Sequence, residues 1–88
     1  MDIIDNDLVL YQDKMETKLS NLRVGQRAII KVINNKEMLL KLMEMGCLPG
    51  EEIVVEQKAP LGDPISVRIA GYSLSLRKNE ANQIVVSK

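Results

Sequence analysis

Apolar and polar residues alternate most regularly between Ile65 and Arg77. Ile65, Val67 and Ile69 interleave with Ser66, Arg68 and Ala70, and Tyr72, Leu74 and Leu76 interleave with Ser73, Ser75 and Arg77. A period of two predicts two half-buried strands with Ile65, Val67, Ile69, Tyr72, Leu74 and Leu76 facing inward. Ala70-Gly71 between them has the length of a two-residue hairpin loop, and the glycine can take the positive φ such turns demand. The two strands are therefore expected to pair antiparallel.

Three other segments read as strands. Ala28–Ile33 is rich in β-branched residues and follows a Gly25 turn, Glu52–Gln57 follows the Pro49-Gly50 turn signal, and Gln83–Ser87 closes the chain. Asn34 and Asn35 offer a turn and a helix N-cap, after which the period changes. At 100° per residue, Met38, Leu39, Leu42, Met43 and Met45 share an arc of about 160°, opposite Glu37, Lys41 and Glu44. Gly46 can end this helix in the left-handed conformation. Lys78–Asn82 is polar enough for a short helical turn. The sum is a mainly β fold: a small barrel of about five strands with one inserted α-helix.

Length sets a limit on this picture, since 88 residues support one core and not two. Apolar residues make up 45% and charged residues 27%, the balance of a globular chain. Twelve basic and twelve acidic residues cancel, but unevenly along the sequence. Residues 1–16 hold Asp2, Asp5, Asp7, Asp13 and Glu16 against Lys14 alone, and read as an acidic N-terminal extension to a domain at 17–88. The cations of 17–88 are scattered, which argues against a nucleic-acid footprint.

Candidate chemistry is sparse. There is no histidine, the commonest proton-transfer residue, and no nucleophile-base pairing, so catalysis is not expected. Cys47 is the single cysteine, which excludes intramolecular disulfides and multi-cysteine zinc sites, and it reads as a small buried apolar group. The glycines form neither of the phosphate-binding runs, so no nucleotide cofactor is expected. No stretch approaches the ~20 apolar residues of a membrane span, and no cationic segment with an apolar run opens the sequence. The expected location is cytoplasmic, without direct membrane insertion.

Protein recognition through loops is what remains. In Ala59–Pro64, Pro60 and Pro64 restrict a backbone that carries Leu61 at its tip and turns through Gly62 and Asp63. A stiffened loop loses less entropy on docking, so Pro60, Leu61, Gly62, Asp63 and Pro64 are candidate partner contacts. Leu40, outside the apolar arc of the helix, is another. Tyr11 and Tyr72 are the only aromatics, too few to line a proline-peptide groove or to stack bases.

Four segments together resemble the FeoA family: LSNLRVGQRAIIKVI, LMEMGCLPGEEIVV, APLGDPISV and GYSLSLRKNEANQIVV. The resemblance covers roughly residues 17–88. It implies an SH3-like barrel and a non-enzymatic cytosolic accessory role in bacterial ferrous iron transport. The implied partner is the membrane iron permease with its GTP-binding domain. Two other readings stay open. Glu51-Glu52 with Glu56 or Asp63 offers oxygen ligands, which would make the chain a module that binds a divalent transition metal directly. A nucleic-acid-binding barrel is the other, and the mixed charge opposes it. Self-association is permitted by exposed strand edges.

Overall fold

The computed structural model describes residues 16–88. The acidic extension expected over residues 1–16 lies outside the described residues, except for Glu16, which already belongs to the sheet. Six strands form one antiparallel sheet: β1 Glu16–Lys18, β2 Arg27–Ile33, β3 Glu52–Lys58, β4 Ile65–Ile69, β5 Tyr72–Leu76 and β6 Ile84–Ser87. Their order across the sheet is β1-β6-β2-β3-β4-β5. Two helices interrupt them, α1 over Lys36–Glu44 and the single turn α2 over Lys78–Ala81.

The expected architecture, a mainly β domain of short strands with one inserted helix, is present, and two details refine it. β1 adds a sixth strand, three residues long, whose Glu-Thr-Lys sequence carries no apolar alternation. It forms because Thr17 meets Val86 across the ladder with β6. The sheet is also open: among the described residues no ladder joins β1 to β5, so both remain edges.

The sheet folds over itself because two strands are bulged. The register of β2 against β6 slips between Ile30 and Val32, and that of β3 against β4 slips between Val55 and Gln57. Each leaves one extra residue, Lys31 and Glu56, bending the strand and strengthening its twist. The slip at Lys31 also resets the alternation, so that Ala28, Ile30 and Ile33 are buried while Ile29 and Val32 face outward. A strict period of two would have turned Ile33 to solvent.

Inside the curl sits an aliphatic core built around Leu19, Leu22, Ile30, Ile53, Ile65, Val67, Ile69, Ile84 and Val86. Among the described residues no polar or charged residue is buried in it. Each fully buried branched side chain contributes about 1.5–3 kcal/mol of transfer free energy, so the core needs no polar network to hold it.

α1 behaves as its sequence predicts at both ends. Asn35 Oδ1 accepts from the Met38 N–H at 2.9 Å, satisfying one of the first-turn donors. Gly46, at φ +79°, donates to Met43 O at 3.0 Å, and Cys47 N–H donates to Leu42 O at 2.9 Å. Those two bonds are a Schellman stop. The buried face is narrower than the apolar arc, however. Met38 and Leu42 are buried, Leu39 and Met45 are half-buried, and Met43 is 47% exposed. A short helix lying on a rim buries a stripe and leaves the margin of its arc to water.

Tyr72 also departs from its inward expectation, being 50% exposed. It stands at the turn end of an edge strand, where no further strand covers it. The turn itself forms as predicted, with Ala70 at φ +50° and Gly71 at φ +84°. Such two-residue turns hold both central residues at positive φ, which a Cβ disfavours by about 1–2 kcal/mol. Ala70→Asn is therefore expected to stabilise the domain by about 0.5–1 kcal/mol, since asparagine tolerates this region. A thermal melt should show a midpoint higher by a few degrees, and Ala70→Val should lower it.

Candidate docking surface

The loop from Ala59 to Pro64 leaves β3 and returns into β4. Gly62 N–H donates to Ala59 O at 2.7 Å, closing a turn around Pro60 and Leu61, and Ala59 N–H donates to Pro64 O at 3.0 Å across the base. Gly62 holds φ +82°, and the Asp63–Pro64 peptide is cis. Asp63 Oδ1 accepts from the Lys78 N–H at 3.0 Å, which ties the loop to the start of α2. Pro60, Asp63 and Pro64 are exposed, Gly62 is half-buried, and Leu61 is 92% exposed at the tip.

Leu61 is thus an aliphatic side chain held away from the core by a hydrogen-bonded turn. Covering it with a partner's apolar surface would recover about 1.5–3 kcal/mol. The other four loop residues shape the backbone, and the Asp63 carboxylate is already committed to Lys78.

Leu40 occupies a different place. It projects from α1 at 52% exposure, with Met43 one turn further on and similarly open. No hydrogen bond or ion pair among the described residues links it to the loop. The two sets of predicted contacts come from different elements, the helix α1 and the β3–β4 connection.

Sequence reasoning missed a groove of about 340 Å³ between the two helices, lined by Asn35, Glu37, Met38, Lys41, Asn79, Glu80 and Gln83. Its walls come from segments some forty residues apart in the chain, joined where Asn34 N–H donates to Gln83 O at 2.7 Å. No local pattern announces such a meeting. Its lining is mostly polar and amide-rich, with one methionine.

Of the carboxylates proposed as metal ligands, Glu52 and Glu56 meet other partners. Glu52 lies 3.6 Å from Arg27, and Glu56 accepts from Arg68 Nε at 2.9 Å and from Ser73 Oγ at 3.2 Å. Among the described residues no group of three or more histidine, cysteine, aspartate or glutamate side chains is placed to hold an ion.

Cys47 is buried behind the end of α1, its Sγ 3.9 Å from the carbonyl oxygens of Met45 and Ile69. Burial raises its pKa, and the nearby Glu51 carboxylate raises it further. A protonated, enclosed thiol is a poor nucleophile.

A short curled antiparallel sheet with one helix set into it and hydrogen-bonded exposed loops defines the class: a small SH3-type β domain, in whose described residues no group of three or more histidine, cysteine, aspartate or glutamate side chains could hold a metal ion. The family model described as the FeoA domain matches residues 17–88. The chain belongs to the FeoA family.

The solution structure of a FeoA protein from Chlorobium tepidum is similar, with 39% identity and a TM-score of 0.76 over 81% of this chain and 69% of that one. A zinc-complexed FeoA of Stenotrophomonas maltophilia, described as a prokaryotic SH3 domain protein, superposes with a TM-score of 0.69 at 29% identity, covering 80% and 88% of the two chains. In Porphyromonas gingivalis, a fusion of Fe(2+) transport protein A with the Fe(2+) transporter FeoB is 40% identical over 70 residues. That match takes in 78% of this chain, which spans 8% of the fusion protein's length.

The thiol gives a direct test of the enclosed geometry. Because the folded pKa lies above the ordinary 9.0, the unfolded state releases its proton first as pH rises. Its stabilising contribution is complete below that value and is lost as pH climbs through the folded pKa. Urea melts above pH 9 should show wild-type stability falling with pH more steeply than that of Cys47→Ala. Alkylation of the native thiol should be slow and should accelerate with denaturant.

Proposed function

We propose that this chain is a non-enzymatic, cytoplasmic accessory domain of ferrous iron transport that docks on an FeoB-type membrane permease. The observation that carries the proposal is the Porphyromonas gingivalis fusion, where a similar domain and the transporter share one polypeptide. A covalent link supplies the high effective concentration that two separate chains must reach by affinity. Among the described residues no helix is long and apolar enough to cross a membrane, so membrane passage in this reading is the partner's work.

Leu61 is the anchor of the docking surface, presented on a turn whose conformation is fixed before binding. The partner supplies both nucleotide chemistry and pore, consistent with the absence of phosphate-binding glycine runs in this sequence. Leu40 and Met43 form a second, flatter apolar site on α1 that a large partner can reach at the same time.

Leu61→Asp should weaken binding to the permease's cytosolic GTP-binding domain by roughly tenfold or more, as loss of a buried leucine implies. Its thermal stability should stay within about 0.5 kcal/mol of wild type, because the side chain touches no core residue. Titration calorimetry giving wild-type affinity for the variant would dismiss the loop as the contact.

Direct binding of a divalent metal is the second reading, and the zinc-complexed relative supports it. Anaerobic titration of the domain with ferrous ion separates the two. Stoichiometric heat that Glu51→Gln with Glu52→Gln removes would favour a metal-responsive module; no heat favours docking alone.

A further inference from the structure

The two edges of the sheet are unlike. β1 is three residues long and charged at both ends, with Glu16 4.0 Å from Lys31. β5 runs five residues, Tyr72–Leu76, with no charge, no proline and no slip in its register against β4. Sheet proteins ordinarily guard an open edge with those very devices. β5 is unguarded.

Its hydrogen-bonding phase follows from the turn. A two-residue loop makes Ile69 and Tyr72 a hydrogen-bonded pair, and such pairs alternate along an antiparallel ladder. The N–H and C=O of Tyr72, Leu74 and Leu76 therefore point to β4, and those of Ser73 and Ser75 point off the open edge. Neither serine has a backbone partner among the described residues. On the inner face, Leu74 borders a groove of about 160 Å³ whose far wall is Met38, Lys41 and Leu42 of α1 with Met45 just past its end.

The sequence Tyr-Ser-Leu-Ser-Leu reads almost identically in both directions about Leu74. Setting two copies antiparallel with Leu74 on the two-fold axis places Ser73 of each against Ser75 of the other. Each such pair exchanges two hydrogen bonds, so both serines of both copies are satisfied at once, which a register shifted by two residues does not achieve. Charges do not oppose it. On the outer face Arg68 of β4, opposite Ser73, is paired with Glu56 at 2.9 Å, Glu56 also holds Ser73 Oγ, and Arg77 lies beyond the end of β5.

We propose that β5 is a homotypic pairing edge: a second copy of this chain adds its own β5 antiparallel, with Leu74 on the axis and Ser73 and Ser75 exchanging backbone hydrogen bonds. The joined sheets form one continuous sheet whose two inner-face leucines meet beside the α1 grooves. This surface is separate from Leu61 and independent of the transporter reading.

The test combines sedimentation velocity of the full chain over a wide concentration range with residue-resolved amide exchange. The sedimenting mass should rise from 9.9 kDa towards twice that value. Over the same range the Ser73 and Ser75 amides should become slow to exchange, whereas Leu74, bonded to β4, is slow throughout. Ser75→Pro removes an outward N–H and no ladder bond, so it should keep the fold and abolish the concentration dependence.

A chain that stays monomeric at millimolar concentration overturns the proposal, as does a dimer in which the two serine amides exchange freely. Protection that ignores concentration would assign the edge to residues 1–15 of the same chain, and protection appearing only on addition of the permease domain would assign it to the transporter. Either result overturns homotypic pairing. Should Ser75→Pro fail to fold, the wild-type exchange pattern alone decides.

Discussion

A sheet of short strands can wrap an aliphatic core only if its strands bend, and here the bend rests on two inserted residues, Lys31 in β2 and Glu56 in β3. Each slips the register by one, so the inward set on either side of it belongs to a different phase. Without the slip at Lys31, Ile33 would face water and α1, which only two residues separate from β2, would start from the wrong side of the sheet. The core, the rim on which α1 lies and the direction of the β3–β4 loop all follow from that curvature.

The sequence has no tryptophan or phenylalanine, and among the described residues no tyrosine is buried in the interior. Branched aliphatics fill it at high density without any polar atom that would need a partner. The polar groups of the described residues lie outside that interior, on the strand faces and connectors. Rigid turns, held by local hydrogen bonds, present Leu61 and the α1 face in fixed positions. The chain belongs to a family one of whose members is joined to an iron transporter in a single polypeptide.

What could be read from the chain alone was local. The alternation from Ile65 to Leu76, the Ala70-Gly71 turn, the Asn35 cap and the Gly46 stop each depend on residues within a few positions, and each appears in the structure. The features that escaped depend on distant partners. β1 is a strand only because β6 lies beside it, and the bulges show only in cross-strand register. Tyr72 carries the inward phase but sits on an edge, a fact set by the sheet order and not by its neighbours in sequence. The groove between α1 and α2 likewise joins segments that no window of sequence contains. Of the candidate contacts, the exposure of Leu61 and Leu40 was legible; the capture of Asp63 by Lys78 was not.

That capture has a mechanical side. The Asp63 carboxylate fastens the outgoing limb of the Ala59–Pro64 turn to the α2 backbone, while the Ala59–Pro64 bond clasps its base. A tug on Leu61 is therefore shared between the β3–β4 ladder and, through α2, the final strand. The turn is thus braced at two points, its base and its outgoing limb, and displacing its tip would strain a ladder and a helix start together.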